Sequence, residues 1–357
     1  MVLESEMLPA EWVAMLRQRH GVSGPAAPSA QWLSKYLARL PESQRAVARA
    51  VWERRQGKTI NESLDHMILP YLKHFGTALN REEHLATKDI WYAFLPTFEF
   101  NAHATRTPRG DRVVLLHQTL SYTLSFWSHW YLRLSEEKHD YLAADPRKLR
   151  EVLDFFGGLW RGSPPALDPG CVYPRTQESW ELDDALTTAA LVFVLGHELG
   201  HIMKGHRGYD ADPEKNHEME FEADRVGLAI TVRHALERSG TDPDTYSIKY
   251  RLFAPLFAAA VISFQNDTDS RTHPAASRRR NRLIAAIPQE LHTFFGDAHA
   301  RMMEHLDGEE LYAILDRNSK GVFDAFARYR RMAPEAARAY KTPAPAWLAS
   351  ECPHRWR

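Results

Sequence analysis

His197-Glu198-Leu199-Gly200-His201 sets two imidazoles and a carboxylate at the spacing that metal-assisted hydrolysis needs. On a helix, residues four apart lie one turn above each other, so His197 and His201 point to one side. Glu198 lies about 100° round the helix, close enough to take a proton from an activated water without ligating the ion. Residues 185–195 are strongly apolar and read as a helix that carries the motif into a core. Catalytic zinc takes three protein ligands and leaves one position open, so a third ligand is expected downstream. Glu220-Phe221-Glu222-Ala223-Asp224 lies within 216–230, which also reads as a helix. Glu220 and Asp224 share a face, so one can bind the metal while the other accepts a hydrogen bond from a ligand histidine and fixes its tautomer. Glu222 lies on another face beside Glu218 and is the rival ligand; the aspartate one turn on favours Glu220. The pattern predicts one Zn2+ per chain, held by His197, His201 and Glu220, with Asp224 behind a histidine and Glu198 as general base.

The elements that must position these groups are mostly helices. The first 75 residues read as helices broken at 21–28 and 57–59, with Trp32, Leu33, Tyr36, Leu37 and Leu40 as a core stripe. Residues 90–117 read as a β-hairpin, with Pro96 interrupting the aromatic part and Arg109-Gly110-Asp111 as its turn. Helices are expected over 119–137 and 145–160, and 162–175 is a Pro-rich loop. The two metal-bearing helices are separated by 206–215. A buried helix over 247–264 (despite Pro255) and a basic helix over 274–287 follow, and further helices lead to a Pro-rich tail at 343–345. The expected fold class is α+β, mostly helical, with one small sheet.

Bulk composition narrows the function classes. The chain has 357 residues, 44% hydrophobic and 25% charged, with a formal net charge of −1. That is an ordinary globular balance, with no global field to favour nucleic acid or acidic lipid. Cys171 and Cys352 are its two cysteines, which points away from a disulfide framework and toward a reducing compartment. No signal-type leader opens the sequence, and the longest apolar runs, 189–195 and 252–264, fall short of the roughly 20 residues a membrane span needs. The expectation is a soluble, cytoplasmic protein with no membrane span and no nucleic-acid partner.

Four segments in order resemble gluzincin zinc metallopeptidases of the HtpX and CaaX-prenyl-protease type, and their soluble relatives, the minigluzincins. They are Asn101-Ala102-His103-Ala104 with Gly110, Val113 and Val114; His197–His201 continued by Gly205-His206; Glu220–Asp224; and Thr272-His273-Pro274 with Arg279 and Leu283. Phage-exclusion peptidases of the Lit type share the same general logic. The resemblance implies a zincin-like catalytic domain over 76–300, an N-terminal helical region over 1–75 and C-terminal helices and tail over 301–357. It also implies that His273 and Arg279 meet the oxyanion, and that Asn101 anchors a peptide added to an edge strand. The chain departs from the pattern in having an insertion over about 118–180, no membrane helices, and His103 where an aromatic is usual.

The implied activity is that of a soluble zinc endopeptidase acting on peptide or protein substrates. Two alternatives stay open. One is a non-catalytic zinc-containing sensor or protein-binding module, which needs a fourth protein ligand such as His206, His217 or Cys171. The other is a latent peptidase released by an activating protein partner in stress or phage defence. His206 otherwise reads as a helix-end residue turned off the metal face, and His217 and Glu218 as exposed.

Overall fold

The apolar segment ahead of His197 is the axis of the molecule. The computed structural model describes residues 6–19, 60–95, 101–137, 177–206, 208–237, 245–265, 267–298 and 307–332, with isolated positions between 30 and 57 and at 303–304. In chain order the elements are α1 (Pro9–Arg19), α2 (Ile60–Thr77), α3 (Arg81–Thr87), β1 (Ile90–Leu95), β2 (Ala102–Arg106), β3 (Arg112–His117), α4 (Gln118–Glu137), α5 (Gln177–Met203), α6 (Pro213–Glu237), α7 (Thr245–Gln265), α8 (Ala276–Phe295), a short 3-10 turn (Gly296–Ala298) and α9 (Gly308–Met332). The fold is mostly helical with one small sheet. The stripe residues Trp32, Leu33, Tyr36 and Leu40, the helix expected over 145–160, the 162–175 loop with Cys171, and the tail lie outside the described residues.

Leu186 and residues 189–195 of α5 are buried on every side of the helix, as an all-round apolar helix must be. α6, α7, α4, α2 and β2 pack around it. The stretch Glu181–Met203 is long and apolar enough to cross a membrane, but 83% of its most apolar window is buried inside the protein, as befits a core helix. α7 runs through Pro255 as expected, with Leu252–Val261 all buried. The same core takes in Leu64 and Phe75 of α2 and Leu311 and Phe326 of α9, on the far sides of the boundaries expected at 75 and 300. The Trp127 ring of α4 meets Phe326 at 4.8 Å, closing that end.

Residues 90–117 are not one hairpin. The sheet order is β1-β3-β2; β1 runs parallel to β3, and only β2 and β3 form a hairpin. Its turn is at the expected place: Gly110 has φ +98°, and Thr107 N–H donates to Asp111 O. β3 takes the centre because Val113–His117 are all buried, which suits a strand covered on both faces. Period-two alternation then divides the sheet. Ala93, Leu95, Val113 and Leu115 face Trp12, Val13 and Leu16 of α1, while Phe94, Ala104, Val114 and Leu116 face the main core.

α5 and α6 approach closely because small residues line their contact. A Cβ on Gly196 would sit 2.9 Å from Gly227 Cα, and one on Gly200 would sit 2.8 Å from Ala223 Cα. These contacts alternate with His197 and His201 on one helix and with Glu220 and Asp224 on the other, so the tight crossing sets how near the chemistry-bearing side chains come.

Candidate active site

His197 and His201 project from the last turns of α5 toward Glu220 of α6. His197 Nε2 lies 3.1 Å from His201 Nε2 and 3.4 Å from Glu220 Oε2, and His201 Nε2 lies 3.5 Å from Glu220 Oε1. Four-coordinate binding with bonds of about 2.0–2.1 Å spaces ligand atoms by about 3.3–3.4 Å, so the trio can hold a metal ion. Glu220 is only 3% exposed, and its Oε2 has no hydrogen-bond partner among the described residues. A buried carboxylate oxygen left so is costly, and a cation between the three atoms would satisfy it. Burial opposes ionisation of Glu220, but His273, His197 and His201 together hold its carboxyl well below the usual range. Burial also pushes His197 down, yet Asp224 and Glu220 outweigh it and lift it to about 10; burial and His197 press His201 down to about 3. Glu222 is not among the converging groups: its side chain is 55% exposed.

Behind His197 lies a buried carboxylate and its counter-ion. His197 Nδ1 is 3.0 Å from Asp224 Oδ1, so that with Nδ1 protonated the imidazole donates to the carboxylate. Arg279 of α8 donates from Nε to Asp224 Oδ2 at 2.8 Å and from Nη2 to Oδ1. Burial opposes the charge on Asp224, but Arg279 and His197 keep its pKa below the ordinary value. Arg279, expected to meet an oxyanion beside His273, is buried with Nε and Nη2 on Asp224 and Nη1 3.9 Å from Glu220 Oε2. Because α8 starts only after His273, the two side chains reach Glu220 from different elements, His273 from the loop and Arg279 from the helix.

His273 lies on the other side of Glu220, its Nε2 3.6 Å from Glu220 Oε1, and its side chain is 48% exposed. Thr272 Oγ1 lies 2.7 Å from its Nδ1. The loop carrying it is tied to the start of α6: Asn216 Nδ2 donates to Arg271 O at 2.9 Å, and His217 Nε2 donates to Ser270 O at 2.8 Å. His217, expected at the surface, is therefore 2% exposed, because this loop and Arg278 seal it in. Its neighbour Glu218 does stay at the surface, paired with Arg282.

Glu198 is buried against the edge of the sheet. In the β2–β3 hairpin Asn101, His103, Thr105 and Thr107 sit at the hydrogen-bonded positions, so the N–H groups of Ala102 and Ala104 point outward from the edge. Ala104 N–H donates to Glu198 Oε2 at 2.6 Å, and Ala102 N–H donates to Asn101 Oδ1 at 3.0 Å. Burial raises the Glu198 pKa, and Glu220 adds to the rise against the pull of His197, Ala104 N–H and Arg279. His103 turns toward the buried His117 of β3, ring nitrogens 3.3 Å apart.

His206 is a helix-end residue off the metal face, as expected, but it has a contact that spacing alone did not show. It stays off the ligand side of His201, but its Nδ1 lies 2.9 Å from His201 Nδ1 and its Nε2 lies 2.9 Å from Glu222 Oε2. The helix stop explains the return. Gly205 has φ +67°, its N–H bonds to Ile202 O, and His206 N–H bonds to His201 O. This is a Schellman ending, in which the residue after the glycine folds back over the one five positions earlier. Gly205-His206 after the second histidine is the signal from which the contact can be read.

Comparison with known proteins is consistent with this arrangement. Residues 146–296 match the model of the family described as Peptidase U49. That span contains every candidate group above except Asn101 and the sheet. No curated protein and no solved structure matches the chain. The family match supports a peptidase.

Proposed function

We propose that the chain is a zinc-dependent endopeptidase that hydrolyses peptide bonds in peptide or protein substrates. The observation that carries this reading is the convergence of His197, His201 and Glu220 at the spacing of a four-coordinate ion, with Glu198 beside them. Zinc at these side chains would lower the pKa of a water to about 7 and polarise the scissile carbonyl. Glu198 accepts the proton from that water and returns it to the leaving amine; its raised pKa suits a carboxyl that must do both. His273, partly exposed beside Glu220, donates to the oxyanion that develops on the carbonyl. Arg279 acts at one remove, holding Asp224 and through it His197. The β2 edge would seat the substrate main chain as an added strand, with Asn101 at its start as anchor.

One observation favours a latent form of the same enzyme. The outward N–H groups of Ala102 and Ala104 are both occupied, by Asn101 and by Glu198 itself. A docking strand must displace the general base from Ala104. A sensor module with structural zinc is less well supported, because among the described residues no fourth ligand joins the trio.

The test is a diverse peptide library incubated with the zinc-loaded protein beside its Glu198→Gln variant, with cleavage read by mass spectrometry and zinc counted in both. Loss of the base should lower turnover by about 10²–10⁴-fold while zinc content stays the same. Equal cleavage by both proteins would remove the mechanism. Cleavage that appears only on addition of a partner protein would select the latent form.

A further inference from the structure

Both ring nitrogens of a ligand imidazole matter: one binds the metal, and the partner of the other decides the tautomer and the aim of the ring. The two histidines differ in that partner. His197 has Asp224 directly, whereas His201 faces a second imidazole, which in turn faces a carboxylate. We infer that His206 and Glu222 are positioning residues for His201, forming a two-step chain from a surface carboxylate to the metal-binding ring. The inference rests on the reading of His201 as a ligand through Nε2.

The donor and acceptor inventory leaves one arrangement. With Nε2 of His201 given to the metal, its Nδ1 carries the hydrogen and donates. His206 Nδ1, 2.9 Å away, must then present its lone pair. A neutral imidazole with a bare Nδ1 carries its hydrogen on Nε2, and Glu222 Oε2, also 2.9 Å away, accepts it. Each tautomer is thus set by the next group outward, and the end of the chain is a carboxylate that can only accept.

Local structure builds the chain into this sequence. The Schellman ending at Gly205 brings His206 back over His201, where an apolar pair usually sits. Glu222 lies two residues beyond Glu220, on another face of α6 from that ligand, so a single helix serves both histidines. The His206 side chain is 9% exposed and that of Glu222 55% exposed. The chain therefore opens to solvent chiefly at its carboxylate.

The experiment is metal affinity, by competition with a chromophoric chelator, together with the visible spectrum of the cobalt-substituted protein. The proteins are wild type, His206→Ala, His206→Asn and Glu222→Gln. Removing such a partner typically weakens metal binding about 10–100-fold. His206→Ala should fall in that range and alter the cobalt bands. His206→Asn, whose amide can still accept from His201, should recover most of the affinity. Glu222→Gln should weaken binding less than His206→Ala. Because Glu222 is half exposed, that variant also tests the chain without disturbing the fold. Wild-type affinity and an unchanged spectrum in His206→Ala and Glu222→Gln would overturn the inference and leave the proposed function intact. Absence of metal binding by the wild type would overturn both. Equal losses in His206→Ala and His206→Asn, without a response in Glu222→Gln, would show that His206 only packs, and would also overturn the inference.

Discussion

The two flanks of the ligand group are built on opposite principles. Behind His197, Asp224 and Arg279 are 2% and 6% exposed and form a buried, doubly hydrogen-bonded ion pair. Behind His201, a neutral ring relays to a carboxylate in solvent. Charge buried with its counter-ion is strongly coupled to the fold, because removing either partner strands the other in a poorly solvated place. A carboxylate in water is screened, so its loss disturbs little besides the ring it orients. The difference predicts that the first flank governs stability and metal binding together, while the second governs metal binding alone.

The sharpest way to break the comparison is Asp224→Ala. It strips Arg279 of both its hydrogen bonds to the carboxylate and leaves it only the longer 3.9 Å contact with Glu220, which should cost up to about 3–5 kcal/mol of stability, measured by denaturant titration of the metal-free protein. An unchanged midpoint would mean that the two flanks do not differ. The same carboxylate has a pH signature. Its folded pKa lies below the ordinary 3.8, so its contribution is complete above that value and drains away as pH falls through the lower, folded one. Asp224→Asn should flatten this acid limb of the stability curve.

Gly227→Ala strikes both flanks at once. Its Cβ would come within 2.8 Å of Phe193 O and 3.0 Å of His197 N, so α5 and α6 must part. Overpacking of this kind costs about 1–3 kcal/mol, and chelator competition should show weaker metal binding alongside the lower stability. Weakened binding without a stability loss would separate helix spacing from packing. Next in size comes Glu222→Gln, expected to leave stability within about 0.5 kcal/mol of wild type, as changes to a half-exposed side chain do, while metal affinity drops. A parallel loss of stability would erase the proposed contrast. The smallest effect on turnover is expected from Asn216→Ala, which removes one of the bonds tying the loop that presents His273 to α6, along with the Asn216 bonds to Asp210, while His217 still holds Ser270 O. One hydrogen bond is worth about 0.5–1.5 kcal/mol, so turnover should fall by up to about tenfold with metal affinity retained. A fall in metal affinity instead would place that loop in support of Glu220.

Much of this contrast was legible residue by residue. Period-3.6 spacing places His197 with His201 and Glu220 with Asp224, and the apolar run before His197 marks a core helix. The turn at Gly110 was equally plain, since a residue with φ +98° favours glycine. The order of the strands was not legible, because alternation tells which face a residue takes but not which neighbour its strand pairs with. The pairing of Arg279 with Asp224 was not legible either, because nothing local to the basic run says which buried acid will face it. His217 was misread because the loop that covers it comes 53 residues later.

By itself, then, the sequence determined what helical geometry controls: which side chains share a face and where the helices carry them. These are short-range consequences of a 3.6-residue turn and of backbone sterics. Only the tertiary structure decided which faces meet. The approach of α6 to α5 through Gly196, Gly200 and Gly227, the docking of Glu198 on the β2 edge, and the commitment of Arg279 to Asp224 depend on packing between segments far apart in the chain. No local propensity encodes such pairings, because their free energy comes from surfaces buried only once the whole core has closed.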